Sequence, residues 1–213
     1  MKIFNLFMIA ASLPLCSFGA SLTLENSGVN SDGTLATPGS TDQNFYSPDG
    51  AIYVISANPA WADPGGVASY VAPDQSDGSI YDGGFYTLDY DISFDLTGFD
   101  PSSVLIEGSW STDNSGNDIL VNGQSTGNTS PGFGGFTDFT LSGSSGLFTA
   151  GVNTLDFNWS NDGGPGGVAI EFSSATASPT PEPASIALFG TGLVAFGLIG
   201  RVRRRVRQRQ AAR

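Results

Sequence analysis

Over residues 86–96 apolar and polar positions alternate without a break. Tyr86, Leu88, Tyr90, Ile92, Phe94 and Leu96 fall on one face, and Thr87, Asp89, Asp91, Ser93 and Asp95 on the other. A period of two is that of a β-strand buried on one side and wet on the other. Shorter alternations recur over 51–57, 103–110, 119–122, 136–141, 154–159 and 168–172, parted by Gly, Asn, Asp and Pro turns. No stretch of comparable length between the chain ends carries a helical period. Seven or more short strands, in a chain with 29 Gly and 12 Pro, predict an all-β domain, an antiparallel β-sandwich or jelly roll. Asn122-Gly123, between apolar flanks, predicts a tight hairpin turn.

The pattern changes at both ends. Lys2 precedes an apolar run over 3–15 and then the small residues Ser17, Gly19 and Ala20. This is the charged, apolar and cleavage order of a secretory signal, assigned to 1–20, with cleavage expected after Gly19 or Ala20. The alternative, an uncleaved anchor, meets the difficulty that the run is short for a span and no basic cluster follows it. At the other end a stiff linker at 178–183, Ser-Pro-Thr-Pro-Glu-Pro, leads into an unbroken apolar run over 184–200. Its seventeen residues at about 1.5 Å each reach roughly 26 Å, close to a hydrocarbon core of about 30 Å. The basic segment 201–213 follows, and Arg201, Arg203, Arg204, Arg205 and Arg207 supply the flank that stays cytoplasmic. Residues 184–200 are therefore expected to be a transmembrane helix. The competing reading, a buried core helix, fits poorly with Gly190, Gly192 and Gly197 and with the arginines beyond. Between these ends lies an exported domain, 21–177, long enough for one core and too short for two.

Charge sharpens this division. The formal net charge of -12 combines 8 Lys+Arg, which are Lys2 and seven arginines from Arg201 onward, with 20 Asp+Glu, all between Glu25 and Glu182. The exported part is a polyanion without internal counter-charges, so nucleic acid is excluded as a partner. Hard divalent cations such as Ca²⁺ are its natural small partners. The lone Cys16 sits in the signal, leaving the domain no disulfide or thiolate site, and bulky Leu15 before it argues against lipid attachment.

Pro181-Glu182-Pro183, an apolar run opening Ala-Ser-Ile-Ala-Leu, and an arginine cluster together resemble the PEP-CTERM sorting signal. The resemblance implies recognition and removal of the tail by an exosortase, a membrane-embedded cysteine transpeptidase. It also implies anchoring in the inner membrane before processing, a final place at the cell surface or outside it, and a link to exopolysaccharide and biofilm. The segments NPAW at 58–61, FDLTGFDP at 94–101, GSWSTDN at 108–114, ILVNG at 119–123 and GVNTLDF at 151–157 are similar to a β-sandwich domain related to galactose-binding-like jelly rolls.

Candidate chemistry in the domain is sparse. Without His, Cys, Lys or Arg it has no Ser-His or Cys-His pair, no amine nucleophile, no zinc triad and no cationic clamp. A two-carboxylate glycosidase, with Glu107 and an aspartate, is the one hydrolytic scheme left open, and the domain is expected to be non-catalytic. Asp113, Asn114, Asn117 and Asp118 gather oxygen ligands in what reads as one polar loop, a candidate Ca²⁺ or sugar site. Asp118 and Gln124 depart from the EF-hand at its sixth and twelfth positions. Asp74 and Asp77 are a second candidate for Ca²⁺, and for both segments the competing reading is an ordinary polar turn. Trp110 and Trp159 read as core; Trp61, in a Pro-flanked loop, is the one aromatic left as a candidate for stacking on a sugar. No cofactor other than Ca²⁺ is implied.

Overall fold

A computed structural model describes residues 19–180. Residues 1–18 of the signal expected over 1–20, the PEP tripeptide, the apolar run over 184–200 and the arginine cluster lie outside the described residues. Among those described, no helix is long and apolar enough to cross a membrane.

Ten strands run in the order β1 (Ala20–Ser21), β2 (Tyr53–Val54), β3 (Val71–Ala72), β4 (Phe85–Asp95), β5 (Leu105–Asp113), β6 (Ser115–Val121), β7 (Gln124–Ser125), β8 (Thr137–Ser142), β9 (Val152–Asp162) and β10 (Gly167–Ala177). They form two sheets, β2-β3-β10-β5-β8 with β1 also on β10, and β4-β9-β6-β7. Every pairing is antiparallel. The domain is an antiparallel β-sandwich, as the alternating pattern predicts.

The longest alternation, over 86–96, is β4, and its partner β9 matches it residue for residue, from Phe85 opposite Asp162 to Asp95 opposite Val152. Its apolar face enters the core with Leu155, Phe157 and Trp159 of β9, Ile106 and Trp110 of β5, Phe139 and Leu141 of β8, and Val168 and Ile170 of β10. Phe157 is the hub, with ring centroids 5.6 Å from Trp110, 5.8 Å from Phe139 and 6.0 Å from Phe45 in edge-to-face contacts. Each such pair adds about 0.5–1.5 kcal/mol beyond the area it buries. Two core positions must be glycine. A Cβ on Gly108 would collide with Glu171 and the Phe139 ring, and one on Gly116 with the Trp110 ring and Ser130.

The hairpin read from Asn122-Gly123 is present. Val121 pairs with Gln124, and Asn122 and Gly123 both take positive φ, +52° and +75°, as a type I′ turn requires. The strands missed by the alternation, β1, β3 and β7, have two residues each, too few to show a period.

Two boundaries differ from the sequence reading. Ser178 and Pro179, assigned to the linker, are held on the domain. The Asp100 N–H donates to the Ser178 carbonyl at 2.8 Å, the Ser178 N–H donates to Ser103 Oγ at 2.8 Å, and Phe99 and Pro179 form a bridge. Ala20, assigned to the signal, pairs with Ala177. Cleavage after Gly19 keeps this pair in the mature chain, and cleavage after Ala20 removes it.

Candidate functional site

The β5–β6 corner carries the chain from one sheet to the other through a single residue, Asn114. Asp113 still pairs with Gly167 in the first sheet, while Ser115 already pairs with Ser160 in the second. The segment read as one polar loop, 113–118, is therefore two strand ends. The alternation there was masked by a bulge between Gly116 and Asp118 and by the polar outer face of β6.

This geometry disperses the four oxygen-bearing residues. Asp113 is buried, and its Oδ2 accepts the indole N–H of Trp61 at 2.7 Å. Asn114 Oδ1 accepts the Asp162 N–H at 2.6 Å. Asn117 is exposed, donating to Asn158 Oδ1 at 2.9 Å, and Asp118 accepts from Ser125 Oγ and from the Gly127 N–H. The four are spent on separate partners and do not converge on one point. Asp74 is committed in the same way. Its two oxygens accept five backbone N–H groups, from Ser76, Asp77, Gly78, Ile80 and Tyr81, and the Ser76 hydroxyl. Burial pushes the Asp74 carboxyl up, but these donors outweigh it and hold it below the usual range. Asp77 accepts the Ser79 N–H at 3.1 Å. Among the described residues no group of three or more His, Cys, Asp or Glu is placed to hold a metal ion.

Trp61 is not an open stacking platform. It is 7% exposed and lies 4.7 Å from the Tyr70 ring, in a second small core with Ile55, Ala72 and Ala169 on the outer face of the β10 sheet. The Tyr70 hydroxyl donates to Ser111 Oγ at 2.9 Å. Burial raises the Asp113 carboxyl, and the Trp61 hydrogen bond offsets part of that rise. The Pro-flanked loop suggested exposure; the aspartate 52 residues away that captures the indole was invisible in the sequence. Trp110 and Trp159 are fully buried, as expected.

Sequence reasoning missed two arrangements. Glu107, the imagined catalytic acid, lines an open groove of about 570 Å³ on the outer face of β8-β5-β10, together with Asp138 and Glu171. Burial pushes the Glu171 carboxyl up, and its Oε1 is buried without a hydrogen-bond partner. On the outer face of the other sheet Asp91 stands directly opposite Asp156. Burial, then the charges of Asp89 and Asp91, raise Asp156 to about 7. Each acid was legible as a strand residue, but which ones stand side by side depends on register across three strands.

The described domain ends where a further pattern begins. The family model described as the PEP-CTERM protein-sorting motif matches residues 179–205. The chain carries a PEP-CTERM sorting motif. The match starts at Pro179, which is bridged to Phe99 of the sandwich, and runs through the PEP tripeptide, the apolar run and Arg201, Arg203, Arg204 and Arg205. The motif marks an exported protein, anchored in a membrane before processing and recognised by an exosortase. None of the curated proteins matches the chain.

Proposed function

We propose that this is a non-catalytic surface or extracellular-matrix protein, processed by an exosortase and linked to the exopolysaccharide layer around the cell. The observation that carries the reading is the junction of a PEP-CTERM motif with an all-β domain that has no basic, imidazole or thiol side chain between residues 21 and 200. Such a domain has carboxylates and hydroxyls for chemistry and no partner groups to activate them. Its charge keeps nucleic acid away and favours a hydrated, acidic surface.

The experiment is the mass of the mature protein in a host with and without its exosortase. Processing removes the tail beyond the PEP tripeptide, about 30 residues. The shorter form is expected only where the enzyme is present, and Pro181→Ala or Glu182→Ala is expected to leave the long form in the membrane. A long form in both hosts would leave a simple C-terminally anchored surface protein as the account.

A further inference from the structure

Pro179 belongs at once to the sandwich and to the sorting motif: it is bridged to Phe99, and the match to the motif begins with it. The last strand ends at Ala177, where Ala20 of β1 pairs with it, so Ser178 and Pro179 are held by a separate device, the turn at 99–103. Ser103 Oγ is the centre of that device. It donates to the Asp100 carbonyl at 2.7 Å and accepts the Ser178 N–H at 2.8 Å, while the Asp100 N–H donates to the Ser178 carbonyl at 2.8 Å. We propose that this turn is a latch that guards the motif, and that an exosortase acts on the chain only while Ser178 and Pro179 are off the turn. The proposal rests on the exosortase reading above and adds to it a control built into the domain.

Three observations support it. The first is reach. Only Thr180 separates Pro179 from the PEP tripeptide, so Pro181 follows Pro179 by about 7 Å of extended chain at most. A folded domain of about 160 residues has a radius of gyration near 15 Å. An enzyme that grips the chain around the tripeptide needs length on both sides of the bond it cuts, and a latched chain would bring the bulk of the sandwich against it. Second, the turn is held by bonds of its own. Asp100 Oδ1 accepts the Ser102 N–H at 3.0 Å and the Ser102 hydroxyl at 2.7 Å, the Phe99 N–H donates to the Leu96 carbonyl at 3.0 Å, and a Cβ on Gly143 would strike the backbone of Pro101 and Ser102. None of these contacts involves Ser178 or Pro179, so the turn keeps its shape when the latch opens. Third, the latched residues are peripheral. Ala177 is buried in the core cluster, but Ser178 is half-buried, Pro179 is exposed, and neither joins that cluster. Their release breaks a few hydrogen bonds and leaves the core intact, an opening at the low-energy end of local unfolding. The fraction of chains unlatched then scales the rate at which the enzyme finds a substrate.

The test is the rate at which the full chain is converted to the short form in a host with its exosortase, the enzyme being limiting. Bridge partners in antiparallel pairs have Cα atoms about 4.5–5.5 Å apart, within reach of a disulfide, and the chain's one cysteine, Cys16, lies in the segment read as the signal. Phe99→Cys together with Pro179→Cys therefore locks the latch in an oxidising compartment. The locked chain is expected to be processed at least about tenfold more slowly than either single variant, and dithiothreitol is expected to restore the rate of the singles. Ser103→Ala, which takes the acceptor from the Ser178 N–H, is expected to speed processing about twofold or more with the melting temperature of the domain unchanged, and Ser103→Thr to keep the ordinary rate. A locked chain, its disulfide confirmed by mass, that is cut as fast as the singles would overturn the proposal, and so would a Ser103→Ala chain cut no faster than the natural one. A natural chain that stays long in this host is a different failure, which removes the exosortase reading and the latch with it.

Discussion

Asp156 faces Asp91 across two strands with no basic side chain available, and its Oδ1 is buried without a hydrogen-bond partner. Like charges directly opposite in a sheet are destabilising. The folded protein holds this carboxyl at about 7, burial being the first cause and the Asp89 and Asp91 charges the next; in the unfolded chain it titrates near 3.9. The folded state therefore binds the extra proton between these values, and stability falls as pH rises through that window. Asp156→Asn keeps the shape and removes the charge. With the effect discounted because the side chain is only partly buried, it is expected to stabilise the domain by about 1 kcal/mol at pH 8 and by nothing near pH 3, read from denaturant melts at the two values. A variant equally stabilised at both would mean that charge is not the cause.

At the scale of elements, the region around Trp61 separates what the sequence discloses from what it hides. Long alternations such as β4 and β9 declare themselves because every second side chain meets the same core. The Asn122-Gly123 turn declares itself because few residues accept two successive positive φ values. Trp61, by contrast, takes its meaning from Asp113 and Tyr70, and its own neighbours in the chain, Ala60 and Ala62, say nothing of them. The same holds for Asn114, legible as a polar turn residue but not as the single link between two sheets. Phe133 and Phe136, in a Gly-rich stretch without a period, give no signal of the small core around Trp61 that they pack against. Since Trp61 supports Asp113, Trp61→Phe is expected to act on stability. Loss of the donor leaves a buried carboxylate short of a partner and costs about 1–3 kcal/mol, whereas a surface stacking residue would leave the melt unchanged.

The whole molecule repeats the behaviour of Asp156 more weakly. Burial raises the Asp42, Asp91, Asp113 and Glu171 carboxyls above their ordinary values. Each is a group whose contribution is fully present when protonated and fades as pH rises. Asp74, held low by its donors, has the opposite sign and is lost as pH falls through its folded value. The melting temperature is therefore expected to rise from about pH 8 to about pH 5 and to fall again in stronger acid. Added salt should narrow the difference between pH 8 and pH 5, because it screens repulsion among exposed carboxylates. A melt that climbs with pH across that range would contradict this account of the charge.

The place of β10 bears on timing. It lies inside its sheet, with β5 along one edge and β3 and β1 on the other, and Ser27 and Asn26 also bond to its backbone. It is also the last strand before the sorting tail. Without β10 the sheet falls into two separate pieces, β2-β3 and β5-β8, so the six-stranded sheet is complete only when the chain up to Ala177 is in place.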